Sequence, residues 1–208
     1  MWMKNFSQAC ENNKKPILEI LKIVLKGPGE VLEIGSGSGQ HVLYFGEHLP
    51  HLNWQPTELP AGISALRDNL SAAPLENILM PRVLDVCQYP WPISSVASIF
   101  TANTLHIMAW PDVRHFFKGV GRVLNPNGLL CIYGPFRYSG NYTSESNAYF
   151  DRWLKERNPA SGIRNFEDVN FLAQEQGLEL LHDYSMPANN QLIIWELRHS
   201  LMKNLPAC

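Results

Sequence analysis

Three glycines and three acids are the residues of this 208-residue chain best placed to do chemistry. Glu33 opens the run Glu33-x-Gly35-x-Gly37-x-Gly39, with Ser36 inside it; Glu58 and Asp85 each end a later apolar stretch. Alternate glycines give a turn backbone angles and close approaches that a β-carbon forbids. A carboxylate just before such a turn suits a cationic ligand end, such as an ammonium, better than a pyrophosphate; it can also serve as a structural acceptor for backbone N–H groups. An acid one strand later can accept both hydroxyl protons of a ribose. Asp85 is placed to accept from the amino group of an adenine, or merely to cap the next helix.

These groups need a frame. Val31, Leu32 and Ile34 read as a buried strand, and QHVLYFGEHL, from Gln40, has the apolar spacing of a helix. LNWQPTEL (52–59), ILMPRVLDV (78–86), SVASIFTAN (95–103) and LLCIYGPF (129–136) read as four further strands. Helices are expected at 62–70 and 112–124, the second ended by Asn125-Pro126-Asn127-Gly128. Before them, residues 7–26 read as one or two helical segments divided near Pro16. After a helix at about 166–176 come LELLHDYSM and QLIIWEL, joined by a turn so short that the two must be antiparallel. The expectation is an α/β, Rossmann-like, doubly wound seven-stranded sheet with a C-terminal antiparallel hairpin. One domain over 1–208 is expected, with an N-terminal helical region at 1–29 and an inserted lid segment at 137–164.

In such sheets ligands bind at the carboxyl ends of the strands, so the three acids converge on one edge. There they describe a pocket for an adenosine joined to an amino acid, which is S-adenosyl-L-methionine. Two competing readings stay open. A dinucleotide fingerprint needs glycine or alanine where Gln40 stands, which weakens a nicotinamide-dependent oxidoreductase, and a phosphate loop lacks its Gly-Lys-Ser/Thr ending. A non-catalytic cofactor-binding protein acting through a partner is the other.

Composition limits the partners. Net charge is −2 and 17% of residues are charged, without the basic footprint that nucleic acids usually require. No apolar run approaches the roughly 20 residues that cross a bilayer, and the first fifteen residues lack a signal-peptide core, so a cytoplasmic protein with no membrane partner is expected. Cys10, Cys87, Cys131 and Cys208 are too scattered for a metal site; Cys87 and Cys131, in apolar runs, read as buried reduced thiols. Nothing in the sequence fixes an oligomeric state.

VLEIGSGSGQH, WQPTEL, LDV and ANTLHI resemble the successive cofactor motifs of class I S-adenosylmethionine-dependent methyltransferases. FSQACENNKKPIL, YGPF, SNAYFD and MPANN resemble, more narrowly, the small domain-of-unknown-function family 938, related to the methyltransferase-like proteins of animals. The resemblance covers roughly residues 5–197 and implies the class I methyltransferase fold and S-adenosylmethionine as cofactor. Glu33, Gly35, Ser36, Gly37, Gly39, Glu58, Asp85 and Asn103 are then the cofactor-contact candidates. The acceptor is expected to be a small molecule, because no Asn/Asp-Pro-Pro-aromatic motif of nucleic-acid amino methylation follows the fourth strand.

For catalysis His106 is the candidate base, since an imidazole can take a proton near neutral pH; a structural histidine in the LHIMAW turn is the alternative. Tyr133 could orient an acceptor or simply pack. The strand LELLHDYSM should run parallel to the first five, so MPANN projects onto the cofactor edge. Asn141, Tyr142 and Asn147 with Met186, Asn189 and Asn190 would then wall the acceptor site. The paired asparagines suit an uncharged polar acceptor, or else make the hairpin turn for which asparagine is well fitted.

Overall fold

A computed structural model describes residues 3–198, so Cys208 lies outside the described residues. Helix α1 (Gln8–Val24) begins where the Ser7 hydroxyl accepts from the Cys10 amide, and it continues through Pro16 without a break. The expected division at Pro16 is not there. A proline deprives a helix of one backbone bond, but Ile17, Leu18 and Leu21 just beyond it are fully buried against the sheet and hold the helix together.

From there strands and helices alternate: β1 (Gly29–Ile34), α2 (Gln40–His48), β2 (Leu52–Glu58), α3 (Ile63–Ala72), β3 (Arg82–Val83), β4 (Val96–Ala102), α4 (Trp110–Val123) and β5 (Leu124–Gly134). A short excursion follows, made of β6 (Phe136–Tyr138), β7 (Asn141–Tyr142), α5 (Glu145–Arg157) and β8 (Arg164–Asn165). Helix α6 (Phe166–Gln174), β9 (Leu178–Met186) and β10 (Asn190–Leu197) complete the order. The main sheet runs β3-β2-β1-β4-β5-β10-β9, while β7-β6-β8 form a separate three-stranded sheet that the sequence did not announce. The first five strands are parallel, and β10 is antiparallel to both β5 and β9. Strand β9 therefore points the same way as β1–β5.

Residue parity along the strands divides the core in two. Val31, Phe100, Cys131, Tyr133, Leu192 and Ile194 face the layer holding α1, α2 and α3. Leu32, Ile99, Leu130, Ile132, Ile193 and Trp195 face α4 and α6. Both faces are covered, which is why these strands read as continuous apolar runs rather than alternating ones. Glu33 shares its parity with Val31, so its carboxyl end points into the α1 layer.

Three expectations need correction. The segment 78–86 forms only the two-residue β3, preceded by an isolated bridge between Ile78 and Trp54; Pro81 cannot donate to a ladder, and an edge strand has a neighbour on one side only. Asn125–Gly128 does not simply stop a helix: it bulges within β5 between the pairings Val96–Leu124 and Ser98–Leu129. Cys87 is exposed, not buried, and its thiol donates to Asp112 Oδ1 at 3.2 Å. The apolar run is interrupted here because the chain leaves the sheet after Val83. No described helix is long and apolar enough to cross a membrane.

The loop after β3 is fixed by close packing. Trp91 is buried, and a Cβ added to Gly119 of α4 would stand 1.9 Å from its ring. Gly119→Ala is expected to cost about 2 kcal/mol, the overpacking exceeding alanine's helix advantage of about 1 kcal/mol. Urea unfolding reads this directly; an unchanged midpoint would mean that the 89–94 loop yields freely.

Candidate functional site

A cavity of about 550 Å³ opens at the carboxyl edge of the sheet. Gly35 after β1, Glu58 at the end of β2, Asp85 beyond β3 and Asn103 after β4 all line it. Leu59 and Ile107, also in its wall, are 50% and 54% exposed, leaving bare apolar surface in a wall that Ile34, Leu84, Val86 and Met108 also line. Four of the eight cofactor candidates thus share one cavity. They are brought together by strands β1, β2 and β4 and the chain after β3, because parallel connections return each strand end to the same edge.

The three glycines of the turn all have positive φ (+73°, +56° and +83°), but their surroundings differ. A Cβ on Gly35 would meet Thr104 at 2.8 Å and one on Gly39 would meet Leu70 at 2.9 Å, whereas one on Gly37 meets nothing within 4 Å. Gly35 and Gly39 are therefore packed against the protein, and only Gly37 borders free space. Ser36 is buried, its N–H donating to Thr57 O and its hydroxyl accepting from Thr57 N, so the turn is tied to β2.

Glu58 holds the turn from the other side. Its Oε2 accepts from the Gly37 N–H at 2.6 Å and its Oε1 from Leu59 N–H at 2.8 Å. Each carboxylate oxygen has a further lone pair for a ligand. Asp85 accepts from Cys87 N–H at 2.9 Å and from the Gln88 amide at 3.3 Å. Glu33 is different. It is 2% exposed, its Oε2 has no hydrogen-bond partner, and burial, with a smaller contribution from Glu58, pushes its pKa up to about 7. A buried carboxyl oxygen without a donor is a costly arrangement unless something else meets it.

Asn103 sits in the left-handed region (φ 58°), its N–H bonded to Tyr133 O. From the position a Gly134 Cβ would take, His106 Nδ1 lies at 3.7 Å and Asn103 Oδ1 at 3.9 Å. The ends of β4 and β5 therefore bring Asn103 and His106 side by side. His106 is buried, packs edge-on to Phe150 at 5.3 Å, and is driven down to about 4 by burial and by Arg164. It is a neutral imidazole at physiological pH. Tyr133 faces the α1 layer with the Asn13 side chain near its hydroxyl, and burial pushes its pKa up to about 12.

The segment 137–164 is fastened over the same edge. Gly162 N–H donates to His106 O, the Ser161 hydroxyl to Ile107 O, and Asn158 enters the cavity wall. Tyr142 donates to Asp151 at 2.6 Å, and exposed Asn141 donates to Ser139 O. Asn147 is buried and donates to Asn189 O and Thr143 Oγ1; the Asn189 amide donates to Ser146. The Asn190 amide reaches the Pro187 and Ala188 carbonyls, and Met186 packs in the core beside Tyr133. The 186–190 turn thus stands on the carboxyl edge beside Gly134, which pairs with Gln191. The asparagine side chains are engaged in the turn itself and in joining it to α5.

Sequence reasoning passed over the groups that fasten α1 to the turn. Gln40 Oε1 accepts from Ser7 N–H (2.7 Å) and from the Ser38 hydroxyl (2.9 Å), while its amide donates to Glu11. His41 shares a 2.6 Å hydrogen bond with Asn13 and is driven down to about 4 by burial. The signal was present in Gln40-His41, two polar residues where a buried helix start is otherwise apolar, but their partners lie some thirty residues away.

A family model described as "Protein of unknown function (DUF938)" matches residues 4–197. Among solved structures, human N-acetylserotonin methyltransferase in complex with SAM is similar, with a TM-score of 0.75 and 14% identity over 90% of this chain and 52% of that one. An O-methyltransferase family 2 protein of Planctomyces limnophilus, complexed with apigenin, gives 0.72 and 15% over 88% and 61%. The YcgJ protein of Bacillus subtilis gives 0.71 and 14% over 89% of this chain and all of its own. The chain spans about half the length of the first-ranked structural matches. The fold is that of class I methyltransferases.

Proposed function

The chain belongs to the DUF938 family of proteins of unknown function, and from that premise we propose that it transfers a methyl group from S-adenosyl-L-methionine to a small-molecule acceptor. One observation carries the reading: a single carboxyl-edge cavity gathers Gly35, Glu58, Asp85 and Asn103 between the bare aliphatic surfaces of Leu59 and Ile107. Glu58 would accept from the ribose hydroxyls, Asp85 from the adenine amino group, and the two aliphatic residues would flank the flat base. The free space above Gly37 and the unpartnered Glu33 oxygen fit the amino-acid half, with Glu33 answering the ammonium. The names of the neighbours, methyltransferases seen with SAM or with apigenin, support the same reading.

The bound sulfonium supplies an activated methyl and its own leaving group. The chain's part is orientation and water exclusion, which can lower a barrier by several kcal/mol. Segment 137–164, as a lid in one domain with the sheet, would close the acceptor side. Neutral His106, in the same corner as Asn103, would accept a hydrogen bond from an acceptor hydroxyl or amine and orient it; burial and Arg164 disfavour the imidazolium, so this contribution is positioning more than proton removal. Calorimetric titration with S-adenosylhomocysteine and, separately, NADH tests the cofactor, and labelled methyl donor offered with metabolite extracts tests transfer. Binding of S-adenosylhomocysteine alone is expected; binding of NADH alone would overturn the reading.

A further inference from the structure

Five buried polar side-chain atoms among the described residues lack a hydrogen-bond partner, and two of them belong to charged groups: Glu33 Oε2 and Arg137 Nε. They have opposite signs and stand at different parts of one sheet edge. Glu33 is the last residue but one of β1, on the cofactor side, and Arg137 lies in β6, three residues past Gly134, where β5 ends. A guanidinium nitrogen buried with nothing to donate to asks for an acceptor.

The surroundings of Arg137 say which kind. Its guanidinium lies 5.6 Å from the Tyr142 ring centroid, and among the described residues no carboxylate is within ion-pair distance of it. The acid in this neighbourhood, Asp151, is already engaged by Lys155 Nζ, the Tyr142 hydroxyl and Ile163 N–H, each at 2.6 Å. Arg164, close enough for its own charge to be disfavoured by Arg137, donates to the Leu105, Met108 and Ala160 carbonyls, which carry no formal charge. Arg137, Lys155 and Arg164 thus stand with one occupied carboxylate within segment 137–164, and the nearby Asp183 and Glu167 are taken up by the Tyr138 hydroxyl and the Ser139 N–H. The cofactor cavity has the reverse character, with Glu58, Asp85 and Asp112 in its wall. Gln191, which pairs with Gly134, adds a buried amide end that is also unpartnered; whichever way that amide is turned, it asks for a polar group.

We propose that Arg137 anchors the acceptor, and that the acceptor carries a carboxylate. The planar guanidinium fork matches a carboxylate with two parallel hydrogen bonds. One unpaired guanidinium and one amide suit a monoanion, while a phosphate dianion would need more donors. The other end of such a molecule would reach toward His106 and Asn103, which meet beside Gly134. This rests on the methyltransferase reading for the word acceptor, but the anion site itself does not require it.

Two probes that differ only in charge test it: 4-hydroxybenzoate and 4-hydroxybenzamide, titrated into the full chain with and without S-adenosylhomocysteine. The acid is expected to bind at least about tenfold more tightly than the amide. Arg137→Gln should erase that preference while leaving S-adenosylhomocysteine affinity unchanged, and Arg137→Lys, which keeps the charge, should retain part of it. Equal binding of the two probes, no binding of either, or a preference that survives in Arg137→Gln would overturn the proposal. Failure of S-adenosylhomocysteine to bind strikes the cofactor reading instead, and is read apart because the comparison is also made without it.

Discussion

Glu58→Ala is expected to weaken S-adenosylhomocysteine binding by about 2–4 kcal/mol, a loss of roughly 30- to 700-fold in affinity. Two effects add. The variant removes a charged acceptor from the ribose position, and charge-assisted hydrogen bonds are about twice as strong as neutral ones. It also frees the Gly37 and Leu59 amides that the carboxylate holds at 2.6 and 2.8 Å, so the glycine turn loses its fastening before any ligand arrives. Glu58→Gln separates the two: its amide oxygen can still accept from Gly37, so it should fall between wild type and alanine. Calorimetry gives the affinities, and unfolding midpoints show whether the fold survives. Equal affinity in wild type and Glu58→Ala would remove Glu58 from the ligand.

The second large effect is expected at Glu33, where ligand and pH are coupled. In the free protein its pKa is raised from 4.5 to about 7. Between those values the folded chain keeps a proton that the unfolded chain has lost, so stability falls as pH rises through this window. The stabilisation is complete below pH 4.5 and gone above about 7; with 1.36 kcal/mol per pKa unit it amounts to about 3 kcal/mol. Glu33→Gln cannot ionise, so it should be the more stable protein at pH 8 by up to about 3 kcal/mol and lose that advantage near pH 5. An ammonium beside the carboxylate lowers its pKa, so binding of S-adenosylhomocysteine should release a proton below pH 7 and strengthen as pH rises toward it. Titrations in buffers of different ionisation heat count that proton. A Glu33→Gln protein that binds as well as wild type, with the same proton release, would leave Glu33 as a structural acid only.

Much of this was legible from spacing. The glycine turn is written in Gly35, Gly37 and Gly39 because glycine adopts positive φ without steric cost, and at Gly35 and Gly39 packed neighbours also leave no room for a Cβ. Glu58, Asp85 and Asn103 could be placed on one edge because parallel strands with right-handed crossovers leave no other arrangement. The antiparallel hairpin followed from a turn too short for anything else. Less legible were features that depend on distant partners. Pro16 looked like a helix break because its local cost is visible, whereas the burial of Ile17, Leu18 and Leu21 is not. Cys87 looked buried because its neighbours are apolar, although the chain turns outward there. For Asn189 and Asn190 the sequence left an acceptor wall and a hairpin turn equally open, and it could not show that Ser146 and the Pro187 and Ala188 carbonyls take up their amides.

The sequence by itself determined the sheet, its edge, the glycine turn and the acids that stand on that edge, because each depends on local geometry: backbone angles, strand parity and connection length. Only the tertiary structure decided which of the polar groups are left without a partner. Glu33 and Arg137 are ordinary charged residues in the chain, and each is left with one buried polar atom without a partner, Glu33 Oε2 and Arg137 Nε, only when the chain packs around them. Desolvation is a property of what surrounds a group in space, and here most of those surroundings come from elsewhere in the chain.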